Sequence, residues 1–245
     1  MIQGIYTASM GMTPLMQKQD QIANNLANIN TTGFKQSGLF IKTYQKFLSN
    51  DQHQPFVNEQ MKPDEVYVDY SEGPLKQTNS TLDMAIKGSG FFTIMTDNGL
   101  QYTRNGNFSL SPEGLLVCSD GSMVMGTEGF IRVERDLPIA ISEKGEVIQR
   151  GESKGVIKVT DFKKPYNMYR CGENRFRPLV SSEDSSVKSA GYVIKQGYLE
   201  SSNVDIIRNM VQMISVNRNF EADQKALHAQ DETLEKAVNQ VGRVG

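Results

Sequence analysis

Two stretches with helical hydrophobic spacing, one at each end of the chain, constrain the fold more than anything between them. Ile206, Met210, Met213, Asn217, Phe220, Gln224, Leu227, Asp231, Leu234, Val238 and Val241 recur at alternating intervals of four and three. Sustained over about five repeats, that spacing predicts a long helix packed lengthwise against another helix. One of the two alternating lines is apolar throughout from Met213, whereas the other carries Asn217, Gln224 and Asp231 in succession. Polar groups on such a seam weaken a private core but fix register where helices meet in an assembly. A surface helix whose wetter edge faces solvent accounts for the same pattern.

The N-terminal stretch supplies a matching half. Ile5, Ala8, Met12, Leu15, Gln19, Ile22, Leu26 and Ile29 alternate three and four, with Gln19 the polar exception. At ~1.5 Å per residue this helix would run roughly 36 Å. Pro14 removes a helical donor and is expected to kink or reset the first turns. Asn28, Asn30 and Thr31-Thr32-Gly33 are expected to stop the helix, with Gly33 as its left-handed cap. Asn24, Asn25 and Asn28 can bond backbone or a neighbouring chain where the helix ends, and simple end-capping explains them equally well.

Between these ends the texture changes. Residues 34–69 read as irregular or extended, rich in Gln and Asn and interrupted by Pro55 and Pro63, although Leu39, Phe40, Ile41, Tyr44, Phe47 and Leu48 would also suit a helix-like face. Residues 49–63 are the best candidate for a loop or linker. From Tyr70 short strand-like runs alternate with turn signals. Asp97-Asn98-Gly99, Ser111-Pro112-Glu113-Gly114 and Lys144-Gly145 read as turns, Asn105-Gly106 and Asp120-Gly121 as hairpins, and residues 166–189 as loops or edge. Turns every 8–12 residues predict an antiparallel β domain.

Chemistry is hard to find. His53 and His228 have no ligand-like spacing around them, so no metal site is expected and no cofactor either. Gly88-Ser89-Gly90 lacks the third glycine of a dinucleotide loop and lies among strands. No nucleophile elbow, Cys/His pair or paired-acid arrangement stands out. A net charge of −2 without basic runs argues against a nucleic-acid partner. No apolar run approaches the ~20 residues of a membrane span, and no cleaved secretory signal is expected at the N-terminus. Cys118 and Cys171 are far apart in sequence, and both pairing and two free thiols are compatible with their number.

Several motifs carry a resemblance. Asn24-Asn25-Leu26-Ala27-Asn28-Ile29-Asn30-Thr31-Thr32-Gly33-Phe34-Lys35 is similar to the signature of bacterial flagellar rod and hook proteins. Gly73-Pro74-Leu75, the run from Leu82 to Phe92, and Tyr102-Thr103-Arg104-Asn105-Gly106-Asn107-Phe108 resemble the β-domain motifs of that family. Gln196-Gly197-Tyr198-Leu199-Glu200-Ser201-Ser202-Asn203-Val204 resembles its entry into the C-terminal helix. Arg218-Asn219-Phe220-Glu221 and Gly129-Phe130-Ile131-Arg132-Val133 look closer to the proximal-rod pattern, and residues 163–178 lack the Asn-Pro-x-Gly-Leu run of distal-rod members. Residues 196–200 and 30–34 are as close to the distal-rod pattern, which stays open as the near alternative.

The resemblance implies an α+β fold: helices at 1–34 and 200–245 pairing as a coiled-coil-like axial domain, an extended linker at 35–72, and an antiparallel β domain at 73–199. It implies a non-enzymatic subunit that polymerises in the basal-body rod, in the periplasm, after type III export. Expected partners are further copies of the chain, other rod subunits, the export apparatus and surrounding basal-body rings, with no membrane insertion. The expected assembly interface comprises Ile5, Met12, Leu15, Ile22, Asn24, Asn25, Leu26, Asn28, Ile29, Gly33 and Phe34. On the C-terminal helix it comprises Met210, Met213, Asn217, Phe220, Gln224, Leu227, Asp231 and Leu234. A secreted binding or scaffold module is the alternative from the residues alone, and would form a closed complex rather than an open polymer.

Overall fold

A computed structural model describes residues 2–47, 57–135, 137–179, 186–188 and 191–241. The fold is α+β with mainly antiparallel sheets, and the chain divides into two compact units. The first contains Met1–Ala27, Gln36–Asp69 and Val204–Gly245; the second contains Asn28–Lys35 and Tyr70–Asn203. The chain therefore passes between units four times.

In the first unit, helix α1 (Ile2–Ala27) packs against helix α2 (Ile206–Val241). Asp205 starts α2: its carboxylate accepts the Arg208 N–H at 3.0 Å, the side-chain cap that the first turn of a helix needs. Pro14 is buried inside α1 and does not end it. The helix stops at Ala27, and a turn closed by the Thr31 N–H on the Asn28 carbonyl follows. Gly33 is left-handed (φ 67°) but lies too far beyond Ala27 to cap the helix. Its conformation serves a different contact, since a Cβ there would sit 2.4 Å from the Asn105 backbone nitrogen.

The shielded face of α2 differs by one residue from the heptad reading. Met213, Phe220, Leu227 and Leu234 are half-buried, but the second shielded line runs through Asn209, Val216, Asp223 and Gln230. Met210, Asn217, Gln224 and Asp231 are exposed. Both lines satisfy a four-three spacing with the same apolar partners and both are largely polar, so hydrophobic periodicity could not separate them.

The segment read as a linker forms an antiparallel ribbon instead. β1 (Ser37–Phe47) pairs with β2 (Val57–Val68) from Ser37↔Val68 to Phe47↔Val57. Of the loop expected at 49–63, residues 57–63 lie in β2, and 49–56, with His53, fall outside the described residues. Pro63 sits where the register skips, between Phe40↔Glu65 and Ile41↔Pro63. A bulge tolerates a residue with no N–H to give, which is why this proline does not break the strand. Nearby, Tyr67 lies across Gly38, where a Cβ would be 2.5 Å from its ring, and its ring centroid is 4.5 Å from that of Phe40. An aromatic ring covering a cross-strand glycine restores contact that the missing side chain cannot make.

The second unit is built on a sheet whose neighbouring strands include Phe91–Thr96, Gly99–Thr103 and Met123–Gly126. The first two join through the turn at Gly99 (φ 95°). Turns at Gly114, Gly121 and Gly145 link antiparallel neighbours as the turn signals predict. Asn105-Gly106 does not make a hairpin: Gly99–Thr103 pairs with Phe91–Thr96 and Arg175–Pro178, whereas Phe108–Leu110 pairs with Leu116–Cys118. Gly106 is required by crowding, because a Cβ there would lie 1.7 Å from the Met84 carbonyl oxygen. Residues 166–189, read as loops, contribute Met168–Arg170 and Arg175–Pro178 to the sheet and Ser186–Lys188 beside Val159–Phe162.

Met84, Ile86, Phe92, Ile94, Phe108, Leu116, Val124, Ile131, Val147, Ile157 and Ile194 form the core of this unit. Each such side chain contributes ~1.5–3 kcal/mol on burial. A second, aromatic cluster joins Tyr70 edge-on to Phe91, Tyr166 and Phe176, with ring centroids 5.0–5.9 Å apart. Burial pushes the phenols of Tyr70 and Tyr166 up to about 12.

Candidate assembly site

The expected interface residues divide by environment. Ile22, Asn25, Gly33 and Phe34 are buried, whereas Met12, Leu15, Leu26, Asn28, Ile29, Met213, Phe220, Leu227 and Leu234 are half-buried. Asn24, Met210, Asn217, Gln224 and Asp231 are exposed, and the Ile5 side chain lies outside the described residues. Asn25 has an internal role: its amide donates to the Ser37 carbonyl at 2.7 Å and accepts the Ser37 N–H at 3.0 Å, closing the start of β1 against α1. Asn28 accepts the Thr31 hydroxyl at 3.2 Å. The Phe34 ring lies 4.5 Å beneath the Arg170 guanidinium, whose own pKa is lowered by burial. A cation over a ring face is attracted by the ring quadrupole.

The first turns of α2 present an apolar surface that the heptad reading reached in part. Ile206, Ile207, Met210, Val211 and Ile214 are all exposed, Ile207 by 76 %. At 100° per residue these positions lie along one side of the helix, opposite the fully buried Asn209. Ile207, Val211 and Ile214 fall outside the four-three series, so a seam search passes over them.

The sequence motifs meet at a buried charge cluster. Lys35 and Glu200 side chains are each 1 % exposed, with Lys35 Nζ 2.5 Å from Glu200 Oε1. Lys35 also donates to the Ser71 carbonyl at 2.6 Å, and Glu200 Oε1 accepts the Gly73 N–H at 2.9 Å. On its other oxygen Glu200 accepts from Arg104 at 3.2 Å, and Arg104 donates further to the Ile86 and Gly88 carbonyls at 3.2 and 2.7 Å. Backbone bonds complete the knot: Gly33 N–H to the Glu200 carbonyl at 2.8 Å, Ser201 N–H to Pro74 at 2.9 Å, and Asn203 N–H to Phe34 at 3.4 Å. The expected interface includes Gly33 and Phe34 of this knot but none of its charged residues Lys35, Arg104 and Glu200. The available signal was a charged residue inside each of three motifs, Lys35, Arg104 and Glu200, without a charged neighbour to pair with locally.

Among the described residues, no three His, Cys, Asp or Glu side chains gather as a metal site, and no helix is long and apolar enough to cross a membrane. Both cysteines are free, Cys118 buried and Cys171 exposed.

Comparison with known proteins follows the same segments. The family described as flagella basal body rod protein matches residues 5–35, the flagellar hook protein FlgE/F/G D1 domain matches 85–149, and the flagellar basal body rod FlgEFG protein C-terminal region matches 195–241. The flagellar basal-body rod protein FlgG of Buchnera aphidicola is 30% identical over 260 residues, covering 96% of this chain and 98% of its own. FlgF of Caulobacter vibrioides is 30% identical over 246 residues, covering 98% of each chain. FlgG of Bacillus subtilis is 31% identical over 261 residues, covering 98% of this chain and 99% of its own. With matches at both ends and in the β unit, and relatives aligned over nearly its full length, this chain belongs to the flagellar basal-body rod and hook protein family.

Proposed function

We propose that the protein is a structural subunit of the flagellar basal-body rod that polymerises helically into part of the shaft carrying torque from motor to hook. The observation that carries this reading is the exposed apolar side of α2, Ile206, Ile207, Met210, Val211 and Ile214. A large apolar surface on a helix of a soluble chain marks a contact surface. The five side chains fit burial against helices of neighbouring subunits. Met12, Leu15, Leu26, Ile29, Met213, Phe220, Leu227 and Leu234 would complete the packing of both terminal helices as a coiled-coil-like axial layer, together with Ile5, Asn24, Asn28, Asn217, Gln224 and Asp231. Contacts that join different patches propagate an open helical array rather than closing a ring. The role is mechanical, with no catalysis. The site of action would be the periplasmic rod, reached by type III export, with other rod subunits and surrounding rings as neighbours.

Among rod members, the proximal-rod assignment is favoured by length. The alignment with the Caulobacter FlgF runs over 246 residues against the 245 of this chain, whereas those with FlgG of Buchnera and Bacillus run over 260 and 261. The longer alignments require gaps in this chain.

The test is complementation of a deletion strain with the full chain carrying Ile207→Asp and Val211→Asp. Both side chains are exposed, so the purified variant should unfold at the wild-type denaturant concentration. Motility and rods bearing a hook should nevertheless be lost. Normal rods in the complemented strain would overturn the assembly reading of this face.

A further inference from the structure

All four places where the chain passes between its two units adjoin the Glu200 cluster. Asn28–Lys35 carries Gly33, Phe34 and Lys35; Tyr70 leads directly into Ser71 and Gly73; and Glu200 is followed by Ser201 and Asn203 before the second unit ends. Within the second unit, these three segments are tied to one another by one carboxylate, one ammonium group, the Asn203 side-chain amide on Ser71 and four backbone N–H groups, those of Gly33, Gly73, Ser201 and Asn203. None of Gly33, Lys35, Ser71, Gly73, Glu200 or Ser201 belongs to the apolar core, and the cluster meets that core through Arg104, which donates to the Ile86 carbonyl at 3.2 Å and lies 5.3 Å over the Phe91 ring.

We infer that the Lys35–Glu200–Arg104 cluster is a latch that opens as a unit, releasing the segments next to all four crossings together while the β core stays closed. The chemistry favours this separation. Charge-assisted bonds at a buried site depend on every partner being in place, because loss of one strands the others away from water. Arg104 adds to that sensitivity, since its buried Nε has no hydrogen-bond partner. Segments held by interlinked polar bonds open cooperatively, and at lower free energy than strands packed on apolar neighbours.

Amide hydrogen exchange on the purified full chain tests this directly, without reference to rod assembly. In wild-type protein under increasing sub-denaturing urea, the Gly33, Gly73, Ser201 and Asn203 amides should share one opening free energy and one urea dependence. The amides of Phe91–Thr96 should open later. Glu200→Gln should accelerate exchange at all four positions at least tenfold. Acceleration confined to Ser201 and Asn203, or wild-type Phe91–Thr96 amides that open at the same urea concentration as the four, would overturn the latch. Should the variant not fold, the wild-type urea series decides: four separate urea dependences refute a common opening.

Discussion

Lys35 Nζ and Glu200 Oε1 lie 2.5 Å apart although 165 residues separate them, and both side chains are sealed from water. A buried pair of this kind contributes little relative to well-packed apolar side chains, but removing one partner leaves the other charged and unsatisfied. Glu200→Gln should therefore destabilise the β unit by about 3–5 kcal/mol. Lys35→Met should cost less, because Glu200 keeps Arg104 and the Gly73 N–H. Urea midpoints of the two variants against wild type check the order; a larger loss for Lys35→Met would contradict it.

Glycine replacements separate crowding from backbone strain. Gly121 is left-handed (φ 87°) with nothing within 4 Å of a built Cβ, so Gly121→Ala should cost only the conformational penalty, roughly 1–2 kcal/mol. Gly106→Ala must move the Met84 carbonyl and should cost about 3 kcal/mol or more. Thermal unfolding of the pair would refute the crowding argument if Gly121→Ala proved the worse.

The cysteines should differ sharply in reactivity. Burial, with the nearby Asp120 charge, pushes the Cys118 thiol up to about 12, and Cys171 is exposed. A maleimide at pH 8 should modify Cys171 in the native chain and reach Cys118 only after unfolding. Rapid native labelling of two thiols, located by peptide mapping, would be the contrary result.

Asp120 supplies a pH dependence of definite sign. Partial burial opposes its charge, but the Ser122 hydroxyl and the Arg175 guanidinium, 2.5 Å away, hold the carboxyl below its ordinary range. A depressed folded-state pKa stabilises above the unfolded value near 3.9, and that contribution disappears as pH falls through the folded pKa. The Tm difference between wild type and Asp120→Asn should be present at pH 7 and vanish toward pH 2. A difference that grows on acidification would reverse the sign.

How far the sequence could be read depended on whether the deciding interaction was local. The α2 start at Ile206 was legible because the four-three spacing acts within a few residues, and the turns at Gly99 and Gly121 were legible for the same reason. The ribbon was not, because Pro63 signals a break and only pairing with Ile41 across the hairpin shows that a bulge absorbs it. Asn105-Gly106 has hairpin chemistry, yet Gly106 answers to the Met84 carbonyl, which is remote in sequence. On α2 the choice between Met210 and Asn209 as the shielded residue turned on packing that periodicity does not encode. The charge cluster lay in plain view as single letters inside three motifs, but only the fold shows that Lys35, Arg104 and Glu200 share one carboxylate.

The edge-to-face packing of Tyr70 on Phe91, Tyr166 and Phe176 has an optical consequence. The chain has no tryptophan, so its near-ultraviolet circular dichroism comes mainly from tyrosine and phenylalanine, and rings fixed in chiral contact dominate such a band. The far-ultraviolet helical band reports α1 and α2 instead. One sample thus carries two spectral clocks, one for the sheet and one for the terminal helices, and their order of loss on heating can be timed without any label.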